Sequence, residues 1–232
     1  MLLHLWFSGK IITWKHLLIR NVPQGVRFTV PVPFYLLEYK NKLFLFDTGQ
    51  QPPAPGIPTD LNYIPEITDD QRAVNILKEK GIYPGDITGI ILSHNHADHS
   101  AGLADFPQTP CYVRKEELQY PGWAEKYDSG RWIFPEGIYD LCGDGRIILL
   151  PTPGHTAGHQ SLLLTMDNGE KLLLAADAAY TREALNDIPP ASDNQSVSRE
   201  TIMTLRKYAA NHVQIVTGHD PLQLQELQTQ LI

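Results

Sequence analysis

The sequence predicts an α/β protein in which two sheets pack face to face with helices outside. Short apolar runs of strand length dominate both halves of the chain. Two gaps between such runs, Lys40-Asn41 and Asp167-Asn168-Gly169, read as tight hairpin turns. Each half then closes on helical periodicity, so strands are followed by helix twice over. With 232 residues, 42% of them hydrophobic, the chain can bury a real core and is read as a single domain over residues 1–232. No period repeats along it.

The elements follow in order. Met1 to Phe7 is apolar but short. His4 interrupts it, and no basic leader or small-residue cleavage site follows, so it reads as a first strand rather than an export signal. Val32 to Tyr39 and Lys42 to Phe46 flank the first hairpin turn, and the second run ends in Asp47-Thr48-Gly49. The Pro-rich stretch from Gln51 to Pro65 has no period and reads as a long loop, either a binding loop or a plain surface excursion. Thr68 and Gln71 form a capping-box pattern for a helix with an Ala73, Val74, Leu77 stripe, stopped by Gly81.

Ile87 to Ser93 is a buried strand, and Thr109 to Val113 another. A helix over Lys115 to Gln119 must end near Pro121. Trp123, Tyr127, Trp132 and Phe134 then fit ordinary core packing somewhat better than the wall of an apolar pocket. Arg146 to Leu150, Gln160 to Met166 and Lys171 to Ala175 are strands. A helix over Arg199 to Ala210 carries Ile202, Leu205 and Ala209 on one face. The last helix has Asp220 as its N-cap and Pro221 in its first turn.

Chemistry concentrates in His94-Asn95-His96-Ala97-Asp98-His99, just past the buried strand. In extended chain, residues two apart point the same way, so His94 and His96 can converge on one ion. Asp98 and His99 diverge and suit a second. Imidazole and carboxylate are ligands for zinc and similar divalent metals. His155, Asp177 and His219 each stand where a predicted strand gives way to a loop, where α/β sheets place binding groups. Asp47 fits either a partner for a ligand histidine's second nitrogen or a residue capping its own bend. His159 reads as a supporting or structural residue, and His4, His16 and His212 as packing or surface residues.

This set, in this order from Asp47-Thr48-Gly49 to His219, resembles the metallo-β-lactamase superfamily. The resemblance implies a four-layer αββα sandwich with a metal site at the edge between the sheets. It implies that His94, His96 and His155 bind a first ion, that Asp98, His99 and His219 bind a second, and that Asp177 bridges them. Within the superfamily the chain is most similar to the N-acyl-homoserine lactonases. The stretch Thr152-Pro153-Gly154-His155-Thr156-Ala157-Gly158-His159-Gln160-Ser161 and the tyrosine Tyr180, three residues past Asp177, carry that likeness. The Gln51 to Pro65 loop departs from it, being shorter than in well-known lactonases.

The implied cofactors are two divalent ions, zinc first among them. A bound water's pKa falls from about 15.7 to about 7 beside such an ion. Hydrolysis then needs no serine or cysteine nucleophile, and no signature for either is present. The expected reaction is opening of an N-acyl-homoserine lactone ring by a metal-bridging hydroxide. In it Tyr180 helps hold the oxyanion and Asp98 shuttles the proton to the leaving oxygen.

Rivals on the same scaffold are a broader lactonase or esterase, a glyoxalase II-like thioesterase and a mononuclear iron persulfide dioxygenase. The tail Leu222 to Ile232 has no Lys or Arg, which argues against glutathione thioesters. Both His99 and His219 are present, which favours two ions over one. The formal net charge of -7 without a basic stripe excludes nucleic acid as a partner. No apolar run is long enough to span a bilayer. Cys111 and Cys142 lack metal-site spacing and read as small hydrophobes. The expectation is a cytoplasmic enzyme, monomer or homodimer, whose partner is a small lactone.

Overall fold

The first strand extends well past the apolar run that predicts it: β1 (Leu2–Trp14) pairs antiparallel with β2 (Arg27–Tyr39) along nearly its whole length. This computed structural model describes residues 1–56, 58, 60–123, 129–186 and 191–231. At the first predicted hairpin, Lys40 and Asn41 both take left-handed backbone (φ 49° and 59°), which matches the twist of β2 to that of β3 (Lys42–Phe46). The short β4 (Ile64–Glu66) returns to pair with Lys10, Ile11 and Ile12 of β1. Next come β5 (Gly89–Ile91), β6 (Cys111–Tyr112) and β7 (Trp132–Ile133), each parallel to its neighbour, giving the order β4-β1-β2-β3-β5-β6-β7.

The second sheet holds β8 (Tyr139–Asp140), β9 (Ile147–Pro151), β10 (Gln160–Thr165), β11 (Lys171–Ala176) and β12 (Gln214–Thr217), in the order β12-β11-β10-β9-β8. The Asp167-Asn168-Gly169 turn joins β10 to β11 as predicted, with Gly169 at φ 87°. Five helices complete the elements used below: α1 (Lys15–Leu18), α2 (Ala73–Glu79), α3 (Ala97–Ser100), α4 (Gln195–Ala210) and α5 (Pro221–Gln230).

Side-chain alternation along the strands sorts the core into layers. Leu3, Leu5, Tyr35, Leu37, Phe44, Phe46 and Ile91 of the first sheet meet Ile147, Leu149, Leu162, Leu164, Leu172 and Leu174 of the second. On the far side of the first sheet, Phe34, Leu36, Leu45 and Ile90 receive Ala73, Val74 and Leu77 of α2. On the far side of the second, Leu173, Ala175 and Ile215 receive Ile202 and Leu205 of α4. Helix, sheet, sheet and helix form the expected αββα sandwich. Cys111 is fully buried in the α2-side cluster, as a small hydrophobe should be.

Four local expectations need correction. The capping pair closes a 3-10 turn over Asp69–Gln71, with the Gln71 side chain accepting from the Thr68 amide at 3.1 Å. Extended backbone at Arg72 then separates that turn from α2. Residues Lys115–Gln119 form a 3-10 helix rather than an α-helix, a form common in short pieces such as this five-residue connector, of which only Glu117 is buried. Helix α4 begins earlier than predicted, capped by Asn194, whose side chain accepts from the Ser196 and Val197 amides. Its buried stripe is Ser198, Thr201, Ile202 and Leu205, and Ala209 is exposed. At α5 the prediction holds, with the Asp220 carboxylate accepting from the Gln223 amide at 2.9 Å.

The predicted 51–65 loop ends inside β4 and is fastened at both ends to β1. At its start the Gln50 amide group donates to the Ser8 and Lys10 carbonyls (2.8 and 3.2 Å), and at its end β4 ladders onto the same strand. Of the four aromatics, Trp123 lies in the α2-side core with Trp132 packed against it (ring centroids 5.3 Å apart), while Phe134 is partly exposed. Tyr127 lies outside the described residues.

Candidate metal centre

Seven side chains gather where the C-terminal ends of strands from both sheets meet. After β5 the chain runs extended through Ser93 and His94, then turns into α3 at His96. This places His94 and His96 on one side, and Asp98 and His99 on the first turn of α3. His155 comes from the turn after β9, Asp177 directly follows β11, and His219 closely follows β12. Gly218 permits the last approach: a Cβ there would lie 2.8 Å from Asp177 Oδ1.

Two groups of potential ligand atoms result: His94, His96, His155 and Asp177; and Asp98, His99, Asp177 and His219. Within each, the atoms lie within 4.8 Å of one another. His155 Nε2 stands 3.1 Å from His94 Nε2 and 3.0 Å from His96 Nδ1. Asp177 divides its oxygens between the groups. Oδ2 lies 3.3 Å from His155 Nε2 and 3.8 Å from His94 Nε2. Oδ1 lies 3.1 Å from His219 Nε2 and 3.3 Å from His99 Nε2. Asp98 Oδ2 is 3.5 Å from both His99 and His219 Nε2.

These residues fit a pair of ions. Nitrogens at about 2.0–2.1 Å from a tetrahedral zinc are themselves about 3.3 Å apart, close to the spacings seen. His99 Nε2 and Asp177 Oδ1 are buried with no hydrogen-bond partner, a cost that a shared cation removes.

The outward nitrogens of the buried histidines are held as well, which fixes tautomer and ring direction. His99 Nδ1 meets Asp47 Oδ2 at 2.7 Å, His94 Nδ1 meets Ser93 Oγ at 3.0 Å, and His219 Nδ1 donates to the Pro31 carbonyl at 2.8 Å. His155 Nδ1 lies 3.1 Å from the Ala191 carbonyl and 2.9 Å from the Tyr180 hydroxyl, which itself donates to Ala191 at 2.7 Å. Of the two alternatives for Asp47, the carboxylate takes the first: although the residue sits in a left-handed bend (φ 61°), its oxygens accept from Ser93 N and Oγ and face His99 Nδ1 rather than the amides of that bend.

His159 stays outside both groups. It is fully buried, its Nδ1 is 2.9 Å from Thr152 Oγ1, and its ring lies 5.2 Å from that of His94. His4 pairs with Glu38 and stacks on Trp6, far from this chemistry in role.

Burial and neighbouring imidazoles hold His94 well below the usual histidine range, and burial pushes His155 down to about 4. Burial also works against a charge on His99 and His219, but Asp177 and Asp98 around them outweigh it and raise both, with Asp47 adding to His99. Burial opposes ionisation of Asp177 and Asp98 too, yet the facing histidines keep both below the normal carboxylate value. Burial, then Asp177 and Asp98, raise Tyr180 far above 10, so its phenol stays protonated.

One contributor has no sequence signal. Glu117, fully buried on the 3-10 helix, accepts from the Asn95 amide through Oε2 and from the Gly158 amide through Oε1, both at 2.8 Å. The cavity over the centre was also unforeseen in its make-up. Its apolar lining is Ile11, Leu17, Leu18 and Val30 from β1, β2 and the segment around α1, rather than any tryptophan.

A two-sheet sandwich carrying a double His/Asp cluster at its strand ends is the framework of a dinuclear metallohydrolase. Residues 27–219 match the family model of the metallo-beta-lactamase superfamily. The chain is 31% identical to the N-acyl homoserine lactonase AttM of Rhizobium radiobacter, covering 94% of this chain and 93% of that one. It is 35% identical to an N-acyl homoserine lactonase of a Bacillus species over 84% of each. A solved N-acyl homoserine lactone hydrolase, with the product N-hexanoyl-L-homoserine at its catalytic metal centre, superposes with a TM-score of 0.86 at 29% identity, covering 97% and 95% of the two chains. The chain belongs to the metallo-beta-lactamase superfamily, within its N-acyl homoserine lactonase-like branch.

Proposed function

We propose that this protein hydrolyses the ring ester of N-acyl homoserine lactones, with two zinc ions held by the His/Asp centre. The observation that carries this reading is the mixed character of one cavity. Its volume is about 580 Å³, and His96, Asp98, His155, Asp177, Tyr180 and His219 line it together with Ile11, Leu17, Leu18 and Val30. A polar ring joined to an apolar tail needs both linings. Relatives named for this activity, and a like-folded hydrolase with an acyl-homoserine product at its metal centre, support the same substrate class.

In this reading His94, His96 and His155 hold one ion, Asp98, His99 and His219 the other, and Asp177 joins them. When bound, the two cations supply Lewis acidity and bring a coordinated water's pKa toward neutrality. The Tyr180 hydroxyl turns its proton from the Ala191 carbonyl to the lactone carbonyl oxygen as that oxygen gains charge. Its raised pKa keeps it a donor throughout. Asp98, which lines the cavity, carries a proton to the ring oxygen as the ester C–O bond breaks. Water is thus added across that bond, OH to the acyl carbon and H to the ring oxygen, to give the N-acyl homoserine. The apolar lining takes the acyl chain. Two free cysteines, one of them in the core, suit a cytoplasmic setting.

The test is one panel of substrates with and without chelator: homoserine lactones of several acyl lengths, simple lactones, thioesters and a phosphodiester. Opening of acyl-homoserine lactones, chelator-sensitive and faster than every other turnover, with two zinc ions per chain, is the expected result. Faster thioester cleavage would assign the chain to another branch of the fold.

A further inference from the structure

The first ligand group is assembled from both sheets, His94 and His96 from the end of β5 and His155 from the turn after β9, so something must fix the distance between the two loops. We propose that Glu117 is that positioning residue: one buried carboxylate clamps the His94–His96 segment to the His155 turn and so sets the geometry of the first ion's ligands. Its two oxygens are used one on each side. Oε2 takes the N–H of Asn95, the residue between the two histidines, at 2.8 Å. Oε1 takes the N–H of Gly158, in the turn that carries His155, also at 2.8 Å.

The fit is close. A Cβ at Gly158 would lie 2.8 Å from the Glu117 backbone nitrogen and 2.9 Å from its Cγ and Oε1, so glycine is what lets the carboxylate reach the turn. Glu117 is fully buried and sits on a segment that is itself anchored. Three residues earlier, Arg114 donates to Gln160 Oε1 at 2.9 Å, while Gln160 Nε2 donates to the Leu92 carbonyl at 2.7 Å. Gln160 of β10 thus ties the second sheet to the end of β5 just before the motif, and Arg114 holds the Glu117 segment to that tie. The second ligand group has no contact with Glu117: His99 rests on Asp47 and His219 on the Pro31 carbonyl.

A clamp of this kind predicts a selective loss. Replacing Glu117 by Gln keeps the shape but sets an NH2 group against one of the two amide donors, so one arm of the clamp opens. Loss of a supporting partner of this sort weakens metal binding about 10–100-fold. The inference rests on the ligand assignment above, and the test separates the two. Cobalt(II) is titrated into metal-free wild type, Glu117→Gln, Glu117→Asp, His155→Ala and Leu205→Ala, with a chromophoric chelator as competitor and the visible cobalt bands as the coordination signature.

Glu117→Gln should weaken the cobalt event that His155→Ala abolishes by at least about tenfold and alter its bands, leaving the other event unchanged. Glu117→Asp, with the charge kept but the reach shortened, should not restore it. Leu205→Ala, destabilising through the core of α4, should leave both events as in wild type. If Glu117→Gln loses only thermal stability, as Leu205→Ala does, or if Glu117→Asp restores full affinity, the clamp is disproved. If His155→Ala removes no cobalt event, the ligand assignment fails instead.

Discussion

The His94–His96–His155 group and the Asp98–His99–His219 group share Asp177 and nearly touch, yet the same burial acts on them with opposite outcomes. In the first, imidazoles face mainly imidazoles, and burial prevails: His94 and His155 are held neutral. In the second, Asp98, Asp177 and Asp47 surround His99, and Asp98 and Asp177 face His219, so burial is outweighed and both histidines hold protons more firmly. A metal ion must find its ligands deprotonated. The first group is ready for a cation near neutrality, whereas the second exchanges protons for one. The difference lies in the number of carboxylates within a few ångströms, not in depth, since His94, His155, His99 and His219 are all buried.

The harshest way to break this comparison is to remove what the groups share. Asp177→Ala should cost the protein both ions and drop lactone hydrolysis to background, read by metal analysis beside a lactone assay. Retention of two ions would show that Asp177 joins nothing. Next in size, Tyr180→Phe should slow acyl-homoserine lactone opening by about a hundredfold, the lower end of the cost of losing one oxyanion donor. Two ions per chain should remain, because the hydroxyl meets the outward nitrogen of His155 and the Ala191 carbonyl, not the nitrogen that faces the cluster. An unchanged rate would take the tyrosine out of the reaction.

Acid sharpens the comparison further. His99 and His219 are raised, so as pH falls protons return to the second group first, while His155, at about 4, stays free of one. Metal content measured from pH 8 downward should pass through a plateau of one ion per chain, held by the first group. Simultaneous loss of both ions would erase the distinction. The smallest effect belongs to neither group: Leu18→Ala in the cavity lining should raise KM for long-chain substrates several-fold, about 1 kcal/mol of lost apolar contact, and spare short-chain ones.

Much of this was readable in the sequence because ligand chemistry leaves residue types that few other roles require. Three histidines and an aspartate within six positions, with His155, Asp177 and His219 at strand ends, located both groups. The two hairpin turns were legible for a related reason, since only certain residues tolerate left-handed backbone. Glu117 was not, because its type and spacing are those of any surface glutamate, and only the packing of two sheets buries it. The 3-10 turns at Asp69–Gln71 and Lys115–Gln119 are too short for their residue spacing to distinguish them from α-helix. Strand β4 was hidden by Pro65, which reads as loop yet is tolerated at a sheet edge.

The fastening of residues 51–63 at both ends to β1 has a consequence for how such a protein can diversify. With the two anchor points fixed on one strand, doubling the intervening length adds only about 0.6 kcal/mol of closure entropy. Insertions and deletions between Gln50 and β4 can therefore re-tailor what enters the cavity while the cradle for the cations is inherited intact. Grafting that segment from one relative to another is the natural route to new substrate preferences.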